Sequence, residues 1–487
     1  MIDFRPICFV IGALLATLGI ALMIPALVDL ALGHENWQSF ATASLVTLFF
    51  GVALGVSNKV HAPELSIRQA FVLTTLSWLA LTAFSALPFL WSALNLGYTD
   101  AFFEAMSGLT TTGATVITGL DDHSKGILLW RSLLQWLGGI GIIVMALAVM
   151  PMLQIGGMQL FRMESSDNSE KIVPRATQLA STIASLYLFL SVLCVIGYLF
   201  AGMSFFDAVA HSMTTIATGG LSTHDASIGY FEGDGVKYVA IVFMILGSLP
   251  FGLYLYAING RVDRLYKDSQ VRWFLVVLGV FIGLTWMAQF LGDVISEEGP
   301  KHNTALKDAA FHTVSIMTGT GYATGDYGKW SPLAEVLFFT MMFVGGCAGS
   351  ASCGIKIFRF QVLFQAINQR LFSVIQPNGI YIPRYNGRPI EERVTTAVLS
   401  FIFLFLFCFV LFAFLLSLYD LDLTTAISAA ASCLTNVGPG LGDIVGPAGN
   451  FQSLPDGAKW LLSLAMLLGR LELFTVLVLF MPTFWRS

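Results

Sequence analysis

Ten long apolar runs leave this chain few ways to fold. They lie at about residues 7–32, 40–57, 70–91, 127–150, 180–202, 235–258, 273–292, 333–355, 396–417 and 458–482. A bilayer's hydrocarbon core takes roughly 20 helical residues to cross, so the runs predict ten membrane-spanning helices in an all-α integral membrane protein. With 56% hydrophobic and 11% charged residues, the composition agrees. The first run exceeds the ~7–15-residue apolar core of a signal peptide and has no small-residue cleavage site after it, so it is read as part of the mature chain.

An even number of spans puts both termini on one side, and charge says which. The links 58–69, 160–176, 259–272 and 356–394, with Arg5 and Arg486, carry 17 of the 25 lysines and arginines. The opposite links carry only Lys125, Arg131, Lys237, Lys301, Lys307, Lys329 and Lys459. Positive loops stay inside, which predicts cytoplasmic termini. The net charge of −5 is spread over short loops without a basic stripe, which argues against nucleic acid as a partner.

Four moderately apolar segments repeat on one ruler. They read DAFFEAMSGLTTTGAT (100–115), DAVAHSMTTIATGGLS (207–222), DAAFHTVSIMTGTGYA (308–323) and TAISAAASCLTNVGPG (425–440). Asp100, Asp207, Asp308 and Thr425 stand 13 positions before Gly113, Gly220, Gly321 and Gly438, which marks an internal repeat. Each opens on a residue able to cap a helix and continues as a helix long enough for half a membrane only. Each then turns to Thr and Gly, which suit extended backbone. The expected organisation is two N-terminal helices (1–69), pore repeats at 70–160, 177–260 and 272–360, a cytoplasmic linker (361–394) and a fourth repeat (395–487).

Non-helical backbone at membrane depth survives only where protein or a watery cavity surrounds it. Four such segments therefore point to one shared pore, with four re-entrant pore helices. Rings of backbone oxygens can replace a cation's hydration shell, and Thr/Gly tracts offer carbonyls without bulky side chains. The residues expected to form this filter are Thr111, Thr112, Gly113, Thr218, Gly219, Gly220, Gly319, Thr320, Gly321, Asn436, Val437 and Gly438. Pore-helix C-termini, each carrying roughly half a negative charge, would favour cations there. Asp225, Asp326 and Asp443 follow the key glycine by five positions in three repeats. They read either as an outer-mouth ring that concentrates cations or as ordinary solvated loop carboxylates.

TTTGAT, ATGGLS, TGTGYATGD and TNVGPG resemble the four filter segments of the Trk/Ktr/HKT cation transporter superfamily, and within it the TrkH branch. The resemblance spans about residues 70–482, and the two extra N-terminal helices match the same branch. It implies potassium uptake across the bacterial inner membrane, a pseudo-fourfold filter and a homodimer among membrane lipid. It also implies a cytosolic NAD- and ATP-binding regulatory ring of the TrkA type. Only Thr320-Gly321-Tyr322 keeps a Gly-Tyr after its threonine, so a less regular filter than a symmetric potassium channel's is expected.

The run 333–355 contains GGCAGSASCG (345–354), poor helix material at mid-membrane. Gly345, Gly346, Gly349 and Gly354 read as either a tight packing face or a broken helix whose loop sits under the filter as a gate. Gly138-Gly139 and Gly247-Ser248-Leu249-Pro250 mark milder breaks in the corresponding spans. Arg470, near the middle of the last run, costs about 2.5–3.5 kcal/mol to insert and needs a task. That task is either a salt bridge to another helix or a contact with the glycine-rich loop; Glu472 is on the wrong face to partner it. Cys8, Cys194, Cys347, Cys353, Cys408 and Cys433 read as small buried fillers, and His211 and His312, inside pore segments, are not read as ligands. No nucleophile–base pair or metal-ligand spacing suggests an enzyme. The competing function is an ion-coupled secondary transporter, whose signature would be inverted repeats, whereas these four units run in parallel.

Overall fold

The computed structural model describes residues 2–59, 65–146, 157, 176–295 and 302–486. Arg162, Lys171, Arg175, Lys301 and the end of the first repeat lie outside the described residues. Helices α1 (Arg5–Leu32) and α2 (Trp37–Ser57) form an antiparallel hairpin. Their backbones touch through glycine: a Cβ on Gly12 would stand 2.6 Å from Gly55 N, and one on Gly51 2.6 Å from Ala16 N. Buried Asp29 of α1 accepts from Gly126 N at 2.7 Å and from the Ser124 hydroxyl at 2.9 Å. A carboxylate thus sits on the N-terminus of the helix beginning at Lys125, where the dipole favours it.

The four repeats come next in the chain. The first comprises α3 (Ile67–Ser85), pore helix α4 (Tyr98–Leu109) and α5 (Lys125–Val144). The second comprises α6 (Ala176–Phe200), pore helix α7 (Phe205–Ile216), α8 (Asp234–Gly247) and α9 (Phe251–Ile258). The third comprises α10 (Ser269–Ile295), pore helix α11 (His302–Met317), α12 (Pro332–Met342) and α13 (Ile357–Ile375). The fourth comprises α14 (Glu392–Ser417), pore helix α15 (Leu423–Thr435), α16 (Asp456–Arg470) and α17 (Phe474–Leu477). Pore helices of 12 to 16 residues are about 18–24 Å long, short of a ~30 Å core. Each packs against the helix that follows the preceding repeat's filter, and α16 packs on α4, so the four units close into a ring.

Seven helices are long and apolar enough to cross a membrane, and two bent pairs raise the number to nine among the described residues. The run 333–355, expected as a tenth span, is instead the 11-residue α12 followed by non-helical chain. Four glycines among small polar residues cannot sustain a helix there. The predicted break in the second repeat is real, with α8 and α9 bent by 94° about Ser248–Pro250. At Gly138 no break occurs: α5 is continuous, and the glycine lets the pore-helix end approach, since a Cβ would stand 1.8 Å from Leu109 O.

The last run, read as one span, turns by 107° between α16 and the helical stretch after it. Glu472 (φ 61°) and Leu473 (φ 25°) are left-handed without being glycine, so the turn is strained and must be held. What holds it is a buried ion pair between Glu472 and Arg359 of α13. Arg359, counted above among cytoplasmic link charges, is therefore interior, and its guanidinium also lies 3.6 Å from the Phe401 ring centroid. In the second and fourth repeats the predicted helix caps fall one turn late. Ser204 caps α7 by accepting from Asp207 N, and Asp422 caps α15 by accepting from Thr425 N.

Between α13 and α14 a two-residue hairpin, β1 (Arg384–Tyr385) with β2 (Arg388–Pro389), turns at Asn386 (φ 48°) and Gly387 (φ 78°). Positive φ at both centres matches the twist of the paired strands.

Candidate functional site

All four pore helices end in the same turn. Thr111 (φ 52°), Thr218 (φ 50°), Gly319 (φ 74°) and Asn436 (φ 53°) are left-handed. The next residue in each repeat donates its N–H to the carbonyl five positions back. The four bonds are Thr112 to Ser107 at 2.9 Å, Gly219 to Thr214 at 2.9 Å, Thr320 to Ser315 at 2.8 Å and Val437 to Ser432 at 3.0 Å. This is a Schellman-type closure, and it turns the chain out of the helix toward a common axis. At the two threonines the conformation costs on the order of 1–3 kcal/mol each, which surrounding contacts must offset.

One residue further, the key glycines meet around that axis. A Cβ on Gly113 would stand 2.3 Å from Gly219 O, one on Gly220 1.8 Å from Thr320 O, one on Gly321 2.0 Å from Val437 O and one on Gly438 2.7 Å from Thr112 O. The sequence of contacts is first to second, second to third, third to fourth and fourth back to first. Each glycine's α-carbon thus lies against a carbonyl of the next repeat, and all four are left-handed, with φ between 74° and 105°. No side chain fits at these positions. The twelve residues read as a filter are therefore brought to one place.

Side chains behind the ring fix it. Gln135 donates to Gly219 O at 2.6 Å and accepts from Leu221 N at 3.0 Å. Asn436 donates to the Thr112 hydroxyl at 2.8 Å and to Met466 O at 2.9 Å, joining the fourth segment to the first. Tyr322, which supplies the one Gly-Tyr pair among the four segments, points its hydroxyl at Thr214 and Thr215 of the second repeat. Ser432 and Ser315 donate to Gly438 O and Tyr322 O at 2.6 and 2.7 Å.

The ring has two unlike sides. One opens into a cavity of about 300 Å³, lined by the four key glycines and by Thr115, Ser222, Arg131 and Asp225. Of the three predicted mouth acids, Asp225 alone lines it; Asp326 pairs with Lys329 at 3.2 Å and accepts from Gly328 N, and Asp443 is exposed on a separate turn. On the other side the space shrinks to about 30 Å³, bounded by Gly349, Ser350, Cys353, Gly354, Gly469 and Arg470. Here lies the loop of Gly345, Gly346, Gly349 and Gly354. It is held at its neck by Gly345 N to Ile355 O at 2.9 Å, and to the second repeat by Ala351 N to Gly247 O at 3.1 Å and Phe251 N to Gly349 O at 2.9 Å.

Arg470 contacts this loop, as one of the two readings expected. Its guanidinium donates to Ala351 O at 3.0 Å and to the Cys353 sulfur, and it is 3% exposed. Cys353, read as filler, stands between Arg470 and the Thr111 hydroxyl, 3.6 Å from the latter. Arg131, counted with the loops, is buried too: it pairs with Glu104 at 2.8 Å and donates to Ser222 O at 2.8 Å. Glu104, Gln135 and Cys353 escaped the sequence reading because each is a single polar residue in an apolar stretch. The one available signal was position: Glu104 stands nine before Gly113, where the next two repeats carry His211 and His312.

A ring of four unequal helix–loop–helix units, strung on membrane-length helices and closed on a backbone-lined axis, is the architecture of an all-helical membrane transport protein. Residues 36–487 match the family model TrkH, described as a cation transport protein, and the chain belongs to that family. It is similar to the Trk system potassium uptake protein TrkI of Halomonas elongata, 43% identical over 99% of this chain and 97% of the relative. TrkH of Escherichia coli is 38% identical over 99% of this chain and all of that protein. The crystal structure of the potassium transporter TrkH from Vibrio parahaemolyticus covers both chains completely, with a TM-score of 0.91 at 37% identity. The protein is thus a multi-pass membrane transporter.

Proposed function

We propose that this chain carries K⁺ into the cell by channel-like permeation through the ring of Gly113, Gly220, Gly321 and Gly438 with the carbonyls beside them. The cyclic glycine–carbonyl approach carries the reading, because it sets oxygens from four repeats around one axis with no side chain between them. Permeation is gated by the Gly345–Gly354 loop and Arg470, which fill the narrow side of the axis. The potassium uptake named for its relatives supports the choice of ion.

Both termini face the cytoplasm of a bacterium, in its inner membrane, and the wide cavity faces out. The basic chain around Arg261, Arg264, Arg370, Arg384, Arg388 and Arg393 is the docking side for a cytosolic nucleotide-binding ring, and the protein works as a homodimer. Reversal potentials of the purified protein in liposomes test the core of this. Voltage following the K⁺ gradient alone is expected; a reversal potential that moves with a proton or sodium gradient at constant K⁺ would instead mean coupled transport. Charge reversal at Arg384 and Arg388 is expected to weaken co-purification with the regulator.

A further inference from the structure

One position in each repeat is used alike, although its residues differ. Nine residues before the key glycine stand Glu104, His211, His312 and Ala429. The first three are buried in their pore helices, and each reaches the chain just past its own glycine. Glu104 accepts from the Thr115 hydroxyl at 3.0 Å and from Val116 N at 2.9 Å. His211 bonds the Ser222 hydroxyl at 2.9 Å through Nε2, while its Nδ1 donates to Asp207 O at 2.9 Å. A carbonyl can only accept, so Nδ1 carries the proton and, in the neutral ring, Ser222 donates to Nε2. His312 bonds the Thr324 hydroxyl at 3.0 Å through Nε2. In the fourth repeat the methyl of Ala429 can make no such bond, and neighbouring Ser428 bonds Leu441 instead, at 3.0 and 3.2 Å.

Each of these hydroxyls lies two or three residues past a ring glycine, and Thr115 and Ser222 line the wide cavity. Arg131 then joins two of the anchors, donating to Glu104, to Thr115 at 3.0 Å and to Ser222 O. Taking the ring as the ion filter, as proposed above, we infer that Glu104, His211 and His312 are positioning residues. Each pins the outer limb of its own segment through a hydroxyl, and with Arg131 they set how sharply the ring discriminates between cations. A ring of carbonyls selects by its spacing, and spacing holds only where the chain on both sides of the glycine is fixed. The inner side is fixed by the shared helix-ending turn; the outer side is fixed by this position.

The hydroxyls provide a mild test. Thr115→Val, Ser222→Ala and Thr324→Val each remove the hydroxyl bond to the anchor and spare the buried partner; Thr324→Val removes that bond alone, whereas Thr115→Val also frees Ile117 N and an Arg131 N–H, and Ser222→Ala frees His224 N. Each is expected to lower the K⁺/Na⁺ permeability ratio in liposomes by about fivefold, the scale of one lost hydrogen bond. The partners Thr115→Ser, Ser222→Thr and Thr324→Ser, which keep the hydroxyl, are expected to restore it. Glu104→Gln, which weakens the acceptor and takes from Arg131 its buried ion-pair partner, is expected to exceed any of them. Gly113→Ser is measured alongside. If the glycine variant changes the ratio and the hydroxyl deletions, in protein of normal yield and elution, do not, the positioning role is wrong and the filter stands. If neither changes it, the filter reading fails and the positioning role with it.

Discussion

The two sides of the glycine ring differ in nearly everything except the residues between them. The wide side is a cavity of about 300 Å³ walled by backbone, hydroxyls, the ion-paired Arg131 and one exposed acid; the narrow side retains about 30 Å³ and is filled by a glycine-rich loop and the buried Arg470 guanidinium. The wide side keeps near-fourfold likeness, with anchors at equivalent positions in three repeats. The narrow side has none: α5 runs straight, the second and fourth repeats bend, and the third unravels. Recognition of an ion needs oxygens on all sides at once, which favours symmetry. Blocking a path needs only one obstruction, so a single repeat can supply it. The proposed division of labour follows from this difference: the ring would decide which ion passes, and the third and fourth repeats how fast.

The largest expected effect comes from the ring. A Cβ at Gly220 or Gly321 would meet backbone oxygen at 1.8 or 2.0 Å, and backbone in a shared ring cannot step aside in one repeat alone. Gly220→Ala and Gly321→Ala are expected to cut K⁺ flux at least about a hundredfold, a barrier of roughly 3 kcal/mol. Gly438, with 2.7 Å to its nearest oxygen, is expected to be the most tolerant of the four. Equal flux in all four alanine variants would break the ring.

On the narrow side the sign reverses. A cation about 5–6 Å from the Arg470 guanidinium meets roughly 3 kcal/mol of repulsion at an effective dielectric near 20. Arg470→Ala, or removal of the loop that it holds through Ala351 and Cys353, is expected to raise passive K⁺ flux by about tenfold or more. The K⁺/Na⁺ ratio should change little. Unchanged or lower flux in protein that inserts normally would make the loop a packing element. A fall in selectivity would merge the two sides that the geometry separates.

The repeat, the half-length helices and the four Thr/Gly tracts were legible because they are periodic, and periodicity survives divergence of individual residues. The broken third span was legible for a related reason: GGCAGSASCG violates helix propensity over ten positions. The bend at Leu471–Leu473 was not, since nothing in LGRLELF differs locally from an apolar helix with two charges. It exists because Glu472 finds Arg359, 113 residues earlier, and that pairing is a tertiary fact. The same limit hid Arg131, whose partner Glu104 lies 27 residues back on a pore helix. Gly138 failed in the other direction: a helix-breaking residue was read as a break where close packing on Leu109 O is its use. Charge counted by side also mistook Arg131, Arg359 and Lys459 for loop residues, although all three are buried in ion pairs, Lys459 with Asp100 at 2.6 Å.

The smallest expected effect separates the three mouth acids, which the spacing of five makes alike. Asp225 is exposed and lines the wide cavity, where its Oδ2 accepts from Leu120 N at 3.1 Å. An asparagine keeps that acceptor, so Asp225→Asn removes charge and leaves the turn in place. At roughly 10 Å from a passing ion in water-like surroundings, one charge contributes about 0.4 kcal/mol, or about twofold in local cation concentration. Asp225→Asn is therefore expected to lower K⁺ uptake about twofold at low ionic strength, and the loss should fade near 0.15 M salt, where the Debye length is about 8 Å. Asp326→Asn and Asp443→Asn are expected to leave uptake unchanged, because one is occupied by Lys329 and Gly328 in its own turn and the other stands outside the cavity lining. Initial uptake rates at low and moderate salt read all three. Equal losses in the three variants would restore the acidic ring, whereas a loss confined to Asp225 makes the wide side a funnel with its acidic charge on one wall.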